Sequence, residues 1–346
     1  MELRLLGRTG LKVPRLVFGA TSLGNLFRAL PAEEKAAIVE AWMQSPWRPV
    51  VIDSAGKYGA GMSLEVIGQQ LARLEVDPEE VLISNKLGWR RVPLSGDQPS
   101  FEPDAWFELE WDAVQDISYD GILRCWEEGN RLLGSYPAHL VSVHDPDDYL
   151  DQATDAEDRE RRLRDIVEAY RGLEELRDRG AARAVGVGAK NWKVIEELSH
   201  LCRFDWVMFA NSFTIMHHPP ELARFMQQLS DQGVGILNSA LFHGGFLLGG
   251  DLFDYRKIDP TDPRDVERLA WRERFWECCR QVGKSPFEIG VAFGLAHPAV
   301  TAVALSSSRP DRIPQQIAAV EQKMSTDVWR VFQQAGLVAE VAWLDD

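Results

Sequence analysis

Four polar side chains have types that combine into one proton-handling unit. Asp53 and Tyr58 stand five residues apart in DSAGKYGAG, Lys86 lies in ISNKLG, and His144 lies in VSVHDPD. A phenol with a reference pKa near ~10 is too weak an acid for efficient work at neutral pH. A neighbouring ammonium favours the phenolate and lowers that value. A carboxylate can hold the ammonium charged and oriented, and an imidazole can hydrogen-bond a substrate oxygen. Together such groups give a proton to a carbonyl oxygen or take one from an alcohol. The hydride of the same reaction must come from or go to a cofactor. Taken singly, each residue has a plainer reading: Asp53 as a turn or capping residue, Tyr58 as a lid aromatic, Lys86 as a solvated strand end, His144 as a buried, hydrogen-bonded histidine. Their shared position at strand ends is what favours the unit.

The elements that must position them read as eight short apolar strands. These are Leu16–Ala20, Val50–Ala55, Val81–Leu87, His139–His144, Ala184–Ala189, Trp206–Thr214, Gly235–Leu241 and Thr301–Ser306. Many are rich in Val and Ile without polar alternation, as strands buried on both faces are. Between them fall helical spacings at Pro31–Gln44, Ser63–Leu74, Asp120–Leu133, Glu160–Arg179, Lys193–Leu201, Pro220–Gln232 and Pro310–Lys323. Gly180 and Gly233 follow helix ends, where a left-handed residue is wanted. Eight strands alternating with helices predict an α/β fold, a (β/α)8 TIM barrel whose active site lies at the C-terminal strand ends. An open doubly wound sheet is the alternative, but its GxGxxG fingerprint is missing, since Gly19–Gly24 reads GATSLG. Leu3–Val13 reads as an N-terminal β-hairpin closing the barrel bottom. Gly88–Ser118 and Phe242–Arg264 read as long loops on the C-terminal face, and loops of that length are usually functional. Residues 1–346 read as one domain.

Composition excludes several classes. Lys plus Arg is 38 and Asp plus Glu is 53, a net charge of −15 in 346 residues. Such a surface repels phosphate backbones and anionic lipids, so no nucleic-acid and no membrane partner is expected. No apolar run approaches the ~18 residues of a membrane span, and MELRLLGRTG lacks the apolar core of a signal peptide. The four cysteines form no CxxC pair. A reduced, cytoplasmic protein is expected, as a monomer or a small homo-oligomer. A metal-dependent barrel would want several His at strand ends, whereas His217-His218 is the one close pair; no metal site is expected.

Here the sequence meets a family. LGRTGLKVPRLVFGA at 6–20, DSAGKYGAGMSLEVIG at 53–68, Lys86 and His144 resemble the opening hairpin and the four-residue catalytic set of the aldo-keto reductases. The resemblance runs from Leu5 to about Val320. ISYDGILRCWEEGNRLLG at 117–134, FHGGFLLGG at 242–250 and SSSRPDRIPQQIAAV at 306–320 resemble the L-fucose and D-threo-aldose 1-dehydrogenase branch. The resemblance implies catalysis by Asp53, Tyr58, Lys86 and His144 with NAD(P), NAD against NADP being left open. It implies a phosphate end at Ser307, Arg309, Arg312 and Gln316, where arginines and a helix start suit phosphate. Ser306 stands where some relatives carry a lysine near the ribose 2′-phosphate. Ser239, Leu241 and Gly245 fall in the loop that wraps the pyrophosphate. Lys190 and Asn191 stand in for the family's Ser-Asn at the nicotinamide carboxamide, and the stacking Tyr near Asn238 is absent.

For the substrate, Trp89, Trp106, Trp111 and Phe242 lie in loops expected around the mouth, and Asp145 or Asp147 can bind hydroxyls. The same aromatics could simply pack the loops on the barrel. The implied reaction is oxidation of an aldose hemiacetal at C1 to the lactone, or reduction of a related carbonyl. The alternatives are an aldo-keto reductase of non-sugar aldehydes or ketones, and a cofactor-sensing binding protein on the same fold.

Overall fold

The computed structural model describes residues 3–254 and 256–344. Eight strands, each paired in parallel with its sequence neighbours, close into a barrel: β1 (Leu16–Gly19), β2 (Val50–Ala55), β3 (Val81–Leu87), β4 (Ala138–His144), β5 (Ala184–Ala189), β6 (Trp206–Ala210), β7 (Gly235–Ser239) and β8 (Val300–Ser306). The strands β2, β3 and β5 are buried at every position, which is why they carry no polar alternation. Among the described residues eleven α-helices accompany the strands: α1 (Ala32–Met43), α2 (Met62–Arg73), α3 (Tyr119–Leu133), α4 (Pro146–Asp151), α5 (Ala156–Asp178), α6 (Trp192–Ser199), α7 (Pro220–Asp231), α8 (Pro263–Gln281), α9 (Pro286–Gly294), α10 (Ile313–Ala319) and α11 (Thr326–Gln334).

The inner core stacks Val17, Val51, Leu82, Leu140, Trp206 and Leu237 on Leu6 and Val13 of the N-terminal hairpin. That hairpin pairs Arg4–Leu5 with Lys12–Val13 and seals the bottom as expected. The outer core lies between strands and helices. Each fully buried aliphatic side chain there contributes roughly 1.5–3 kcal/mol. Helix starts are fixed by side-chain caps: Ser118 accepts from the Gly121 N–H, Asp155 from the Asp158 N–H, and Ser285 shares a capping box with Glu288.

Several boundaries differ from the sequence reading. The strand expected to run to Thr214 ends at Ala210, because Asn211 turns left-handed at φ 57°. Its neighbour ends at Ser239 for the same reason, with Ala240 at φ 54°. The helix expected from Glu160 starts at Ala156 behind its Asp155 cap. The one expected over 310–323 is a 3-10 turn, Pro310–Arg312, leading into α10. The loop 88–118 is largely a hairpin, Trp89–Pro93 paired antiparallel with Trp111–Gln115. The stretch left unassigned after Arg264 holds α8 and α9. No helix among the described residues is long and apolar enough to cross a membrane.

Candidate active site

Register places the polar unit. Asp53 pairs with Ser84, and Ala55 with Lys86, across β2 and β3, so both side chains emerge near the C-terminal end. Lys86 Nζ lies 2.5 Å from Asp53 Oδ2 and donates to the Ser54 carbonyl at 3.2 Å. Ser84 Oγ donates to the other Asp53 oxygen at 3.0 Å. The two charged side chains are 3% and 5% exposed, so each compensates a charge that could not be buried alone. Gly188 on β5 makes room for the lysine stem: a Cβ there would sit 3.0 Å from Lys86 Cδ.

Tyr58 is held on a turn that follows β2. The turn rests against the 3-10 segment Thr21–Gly24, where a Cβ on Gly24 would come within 2.6 Å of the Tyr58 backbone. Lys86 Nζ stands 4.8 Å from the centre of the Tyr58 ring. The His144 ring meets the same phenol edge-on, 5.5 Å between centres at 83°. Trp106 of the long β3 loop stacks on the phenol at 5.9 Å and 25°. Thus the structure brings together all four residues expected to act as a unit.

His144 is buried, which pushes its pKa well below the usual imidazole value; the charges of Lys86, Lys57 and Lys190 push the same way. The ring is therefore neutral at pH 7 and carries one N–H. Its Nε2 lies 3.6 Å from Asp145 Oδ2. Asp145 itself adopts a left-handed backbone, φ 46°, and its carboxylate lies 3.6 Å from Lys57 Nζ and 3.7 Å from Lys190 Nζ. Asp147 accepts the Lys190 and Asn191 backbone N–H groups at 3.0 and 2.7 Å. Burial first, then the charge of Asp145, push the Asp147 carboxyl up to about 6.

Sequence reasoning missed Lys57, Glu102 and Asp148. Lys57 Nζ, 5% exposed, lies 2.7 Å from Glu102, 3.6 Å from Asp145 and 3.8 Å from Asp148. The one available signal was a lysine inside an otherwise small-residue turn, directly before Tyr58. Of the expected substrate residues, Trp89 is at the mouth, its indole 5.0 Å from Lys57 Nζ. Trp111 is exposed and meets Arg91. Phe242 packs instead on Phe287 and Gly290 of α9.

At the other end of the expected cofactor track, Ser22 Oγ donates to the Ser307 carbonyl, and Ser307 Oγ closes a turn with Arg309. Arg309 is paired with Asp311 at 2.6 Å, whereas among the described residues Arg312 makes no ion pair. Gln316 is buried, donates Nε2 to the Ser306 carbonyl, and leaves Oε1 without a partner. An unmet buried acceptor beside an unpaired arginine and a helix start fits the adenine and phosphate end of a dinucleotide. Gly245, at φ 95° with open space around its Cα, permits close backbone approach. Ser239 Oγ donates to the Phe209 carbonyl, and Leu241 is buried against Gly294. At the expected nicotinamide end, Lys190 Nζ lies 2.7 Å from Asp148, and the Asn191 side chain caps α6. Among the described residues no group of three or more His, Cys, Asp or Glu is placed to hold a metal.

The model of the Aldo/keto reductase family matches residues 15–336. The chain belongs to this family. It is 26% identical to pyridoxal 4-dehydrogenase of Microbacterium luteolum, over 98% of each chain. It is also 26% identical to D-threo-aldose 1-dehydrogenase of a Pseudomonas species, over 95% of this chain and 96% of the other. That likeness agrees with the branch resemblance in the sequence. The fold matches an aldo-keto reductase of Bacillus halodurans in its holo form, with TM-score 0.70, 20% identity and full coverage of both chains. It matches the glycerol dehydrogenase of Gluconobacter oxydans with TM-score 0.69 and 18% identity, over 99% and 98%. The aldo-keto reductase barrel therefore carries an oxidoreductase.

Proposed function

We propose that the chain is an NAD(P)-linked oxidoreductase that oxidises an aldose at C1, with carbonyl reduction by the same groups in reverse. The observation that carries this reading is the Tyr58 phenol set between the Lys86 ammonium and the edge of a neutral His144. A bound nicotinamide dinucleotide would accept or supply the hydride. Arg312, Gln316 and Gly245 would hold its phosphate and adenine end, and Lys190 and Asn191 its nicotinamide end.

In oxidation, Tyr58 as phenolate takes the proton from the C1 hydroxyl while the C1–H pair leaves as hydride, and the C1–O bond becomes the lactone carbonyl. Lys86 stabilises the phenolate, and Asp53 holds the Lys86 ammonium in place. His144 donates its N–H to the sugar oxygen without adding charge. In reduction, Tyr58 gives the proton and the same contacts apply. Trp89 lies at the mouth beside Lys57, and Asp145 can accept from sugar hydroxyls. The similarity to a D-threo-aldose 1-dehydrogenase over most of both chains supports an aldose. A non-sugar aldehyde is the second reading, favoured by the equal similarity to a pyridoxal 4-dehydrogenase.

The test is an absorbance screen of aldoses and aldehydes with each of NAD+, NADP+ and their reduced forms. Turnover of an aldose with an oxidised cofactor is the expected result. Tight dinucleotide binding with no turnover across the panel would instead favour a cofactor-sensing protein.

A further inference from the structure

We propose that Lys57, buried, and Glu102, partly exposed, form a latch that seats the long β3 loop on Tyr58, making both of them positioning residues for the phenol. The proposal rests on the reading of Tyr58 as the proton-transferring group, and its structural half can be tested apart from that reading.

The argument starts from a cation in an unusual place. Lys57 directly precedes Tyr58 in the turn after β2, yet its side chain is only 5% exposed. A buried ammonium requires compensation. Three carboxylates supply it: Glu102 at 2.7 Å, Asp145 at 3.6 Å and Asp148 at 3.8 Å. Asp145 and Asp148 come from the end of β4 and the start of α4, and they share their charge with Lys190. Glu102 comes from the β3 loop and makes the shortest contact.

Glu102 spans two partners. While Oε1 takes the Lys57 ammonium, Oε2 accepts the Trp106 indole N–H at 2.8 Å. The residue holds a left-handed backbone, φ 44°, a conformation that non-glycine residues keep only where their surroundings impose it. Trp106 is 2% exposed, and its indole stacks on the phenol. The same stretch is joined to the segment before α1 by the Leu26–Trp106 bridge and by the Phe27 N–H donating to the Ala105 carbonyl.

The chain of contacts is therefore Lys57 to Glu102 to Trp106 to Tyr58, and Lys57 is bonded in sequence to Tyr58. It closes a ring that clamps the phenol from its outer face. Lys86 and His144 hold the phenol from within the barrel. Without the latch the inner contacts remain, but the Trp106 indole that backs the ring loses the acceptor that orients it. A misplacement of about 1 Å at a reacting group costs up to about 10²-fold in rate. The phosphate and adenine end of the dinucleotide is expected on β8 and α10, away from the latch, and at the nicotinamide end Lys190 keeps its 2.7 Å contact with Asp148 without Lys57, so loss of the latch should leave cofactor affinity intact.

The experiment uses the full chain with glyceraldehyde, the smallest aldose, and with NADPH and NADH in separate assays. Lys57→Met and Glu102→Ala are each expected to lower kcat at least about tenfold while the NADPH dissociation constant stays within about twofold. The double variant should lose no more than the worse single, since both break one tether. Glu102→Gln, which keeps an acceptor for the indole N–H, should recover part of the loss. Equal kcat in folded variants, or losses that multiply in the double variant, would overturn the proposal. Trp106→Phe leaves the ion pair in place and carries the kinetic test if Lys57→Met does not fold. Hydrogen exchange read on residues 100–107 separates the two levels of the claim. Lys57→Met should speed exchange there and not in the barrel strands, whether or not the wild type turns over glyceraldehyde. Unchanged exchange would overturn the latch, and a wild type inactive on glyceraldehyde with either cofactor but with the expected exchange would overturn only the reading of this chain as an enzyme of small aldoses.

Discussion

Replacing Asp53 by asparagine isolates the ion pair beneath Tyr58. The partners lie 2.5 Å apart with side chains 3% and 5% exposed. At an effective dielectric of ~20, their Coulomb attraction is about 6–7 kcal/mol, and the desolvation of two ions offsets much of it. Asparagine keeps the shape and an acceptor for Ser84 Oγ but removes the charge, leaving the Lys86 ammonium buried without its counter-ion. Changes of that kind cost about 3–5 kcal/mol. Lys86→Met strands the carboxylate and should cost a similar amount. The double replacement Asp53→Leu with Lys86→Met removes both charges, and the Ser84 hydroxyl and the Ser54 carbonyl lose their bonds to the pair, at about 1–3 kcal/mol. It should therefore be more stable than either single variant and lie within about 2 kcal/mol of the wild type. All three variants should lack turnover, which separates the pair's chemical role from its structural one. Urea unfolding followed by tryptophan fluorescence measures these differences, with the slope checked for two-state behaviour. A cost below about 1 kcal/mol for Asp53→Asn, or a double variant less stable than both singles, would refute the reasoning.

Three further outcomes follow from the geometry. Because the Asp147 carboxyl is pushed up to about 6, the stability it lends is full below the ordinary carboxylate value and is lost as pH rises through about 6. Asp147→Asn keeps an oxygen for the Lys190 and Asn191 N–H groups, so its stability relative to wild type should rise by about 2–3 kcal/mol between acid and mildly alkaline pH; a difference flat with pH, measured by urea midpoints, contradicts this. Gly24→Ala puts a Cβ 2.6 Å from the Tyr58 backbone and should cut kcat by about 10²-fold with unchanged dinucleotide affinity, read by steady-state kinetics and fluorescence titration. Arg312→Ala should weaken dinucleotide binding about tenfold, the size of one charge-assisted hydrogen bond, while Arg309→Ala does less because Asp311 already occupies that guanidinium.

The barrel was legible because its strands are buried on both faces and so stand out as apolar runs. Asp53, Lys86 and His144 were legible because each lies at or near a strand end, where barrel chemistry is built. Tyr58 could be attached to them only through the motif it shares with Asp53. The latch was not legible: Lys57 and Glu102 are 45 residues apart, and the loop between them has no periodicity that would predict the contact. Strand ends were misplaced where single residues turn left-handed, as at Asn211 and Ala240, since the apolar run continues past both. The helix α8 escaped notice because charged residues recur along it and only Asp265, Phe275, Cys278 and Cys279 are buried. Phe242 was expected at the mouth from its place in a loop, but a bare Cα at Gly290 gives its ring a site on α9.

The most direct test of the central claim is Tyr58→Phe, which removes one oxygen and keeps the ring that Trp106, His144 and Lys86 contact. Dinucleotide affinity should stay within about twofold while NAD(P)-linked turnover falls by about 10²–10⁴-fold, the usual worth of a proton-transferring group. A variant that binds dinucleotide and retains turnover within about tenfold of wild type would show that the proton moves elsewhere.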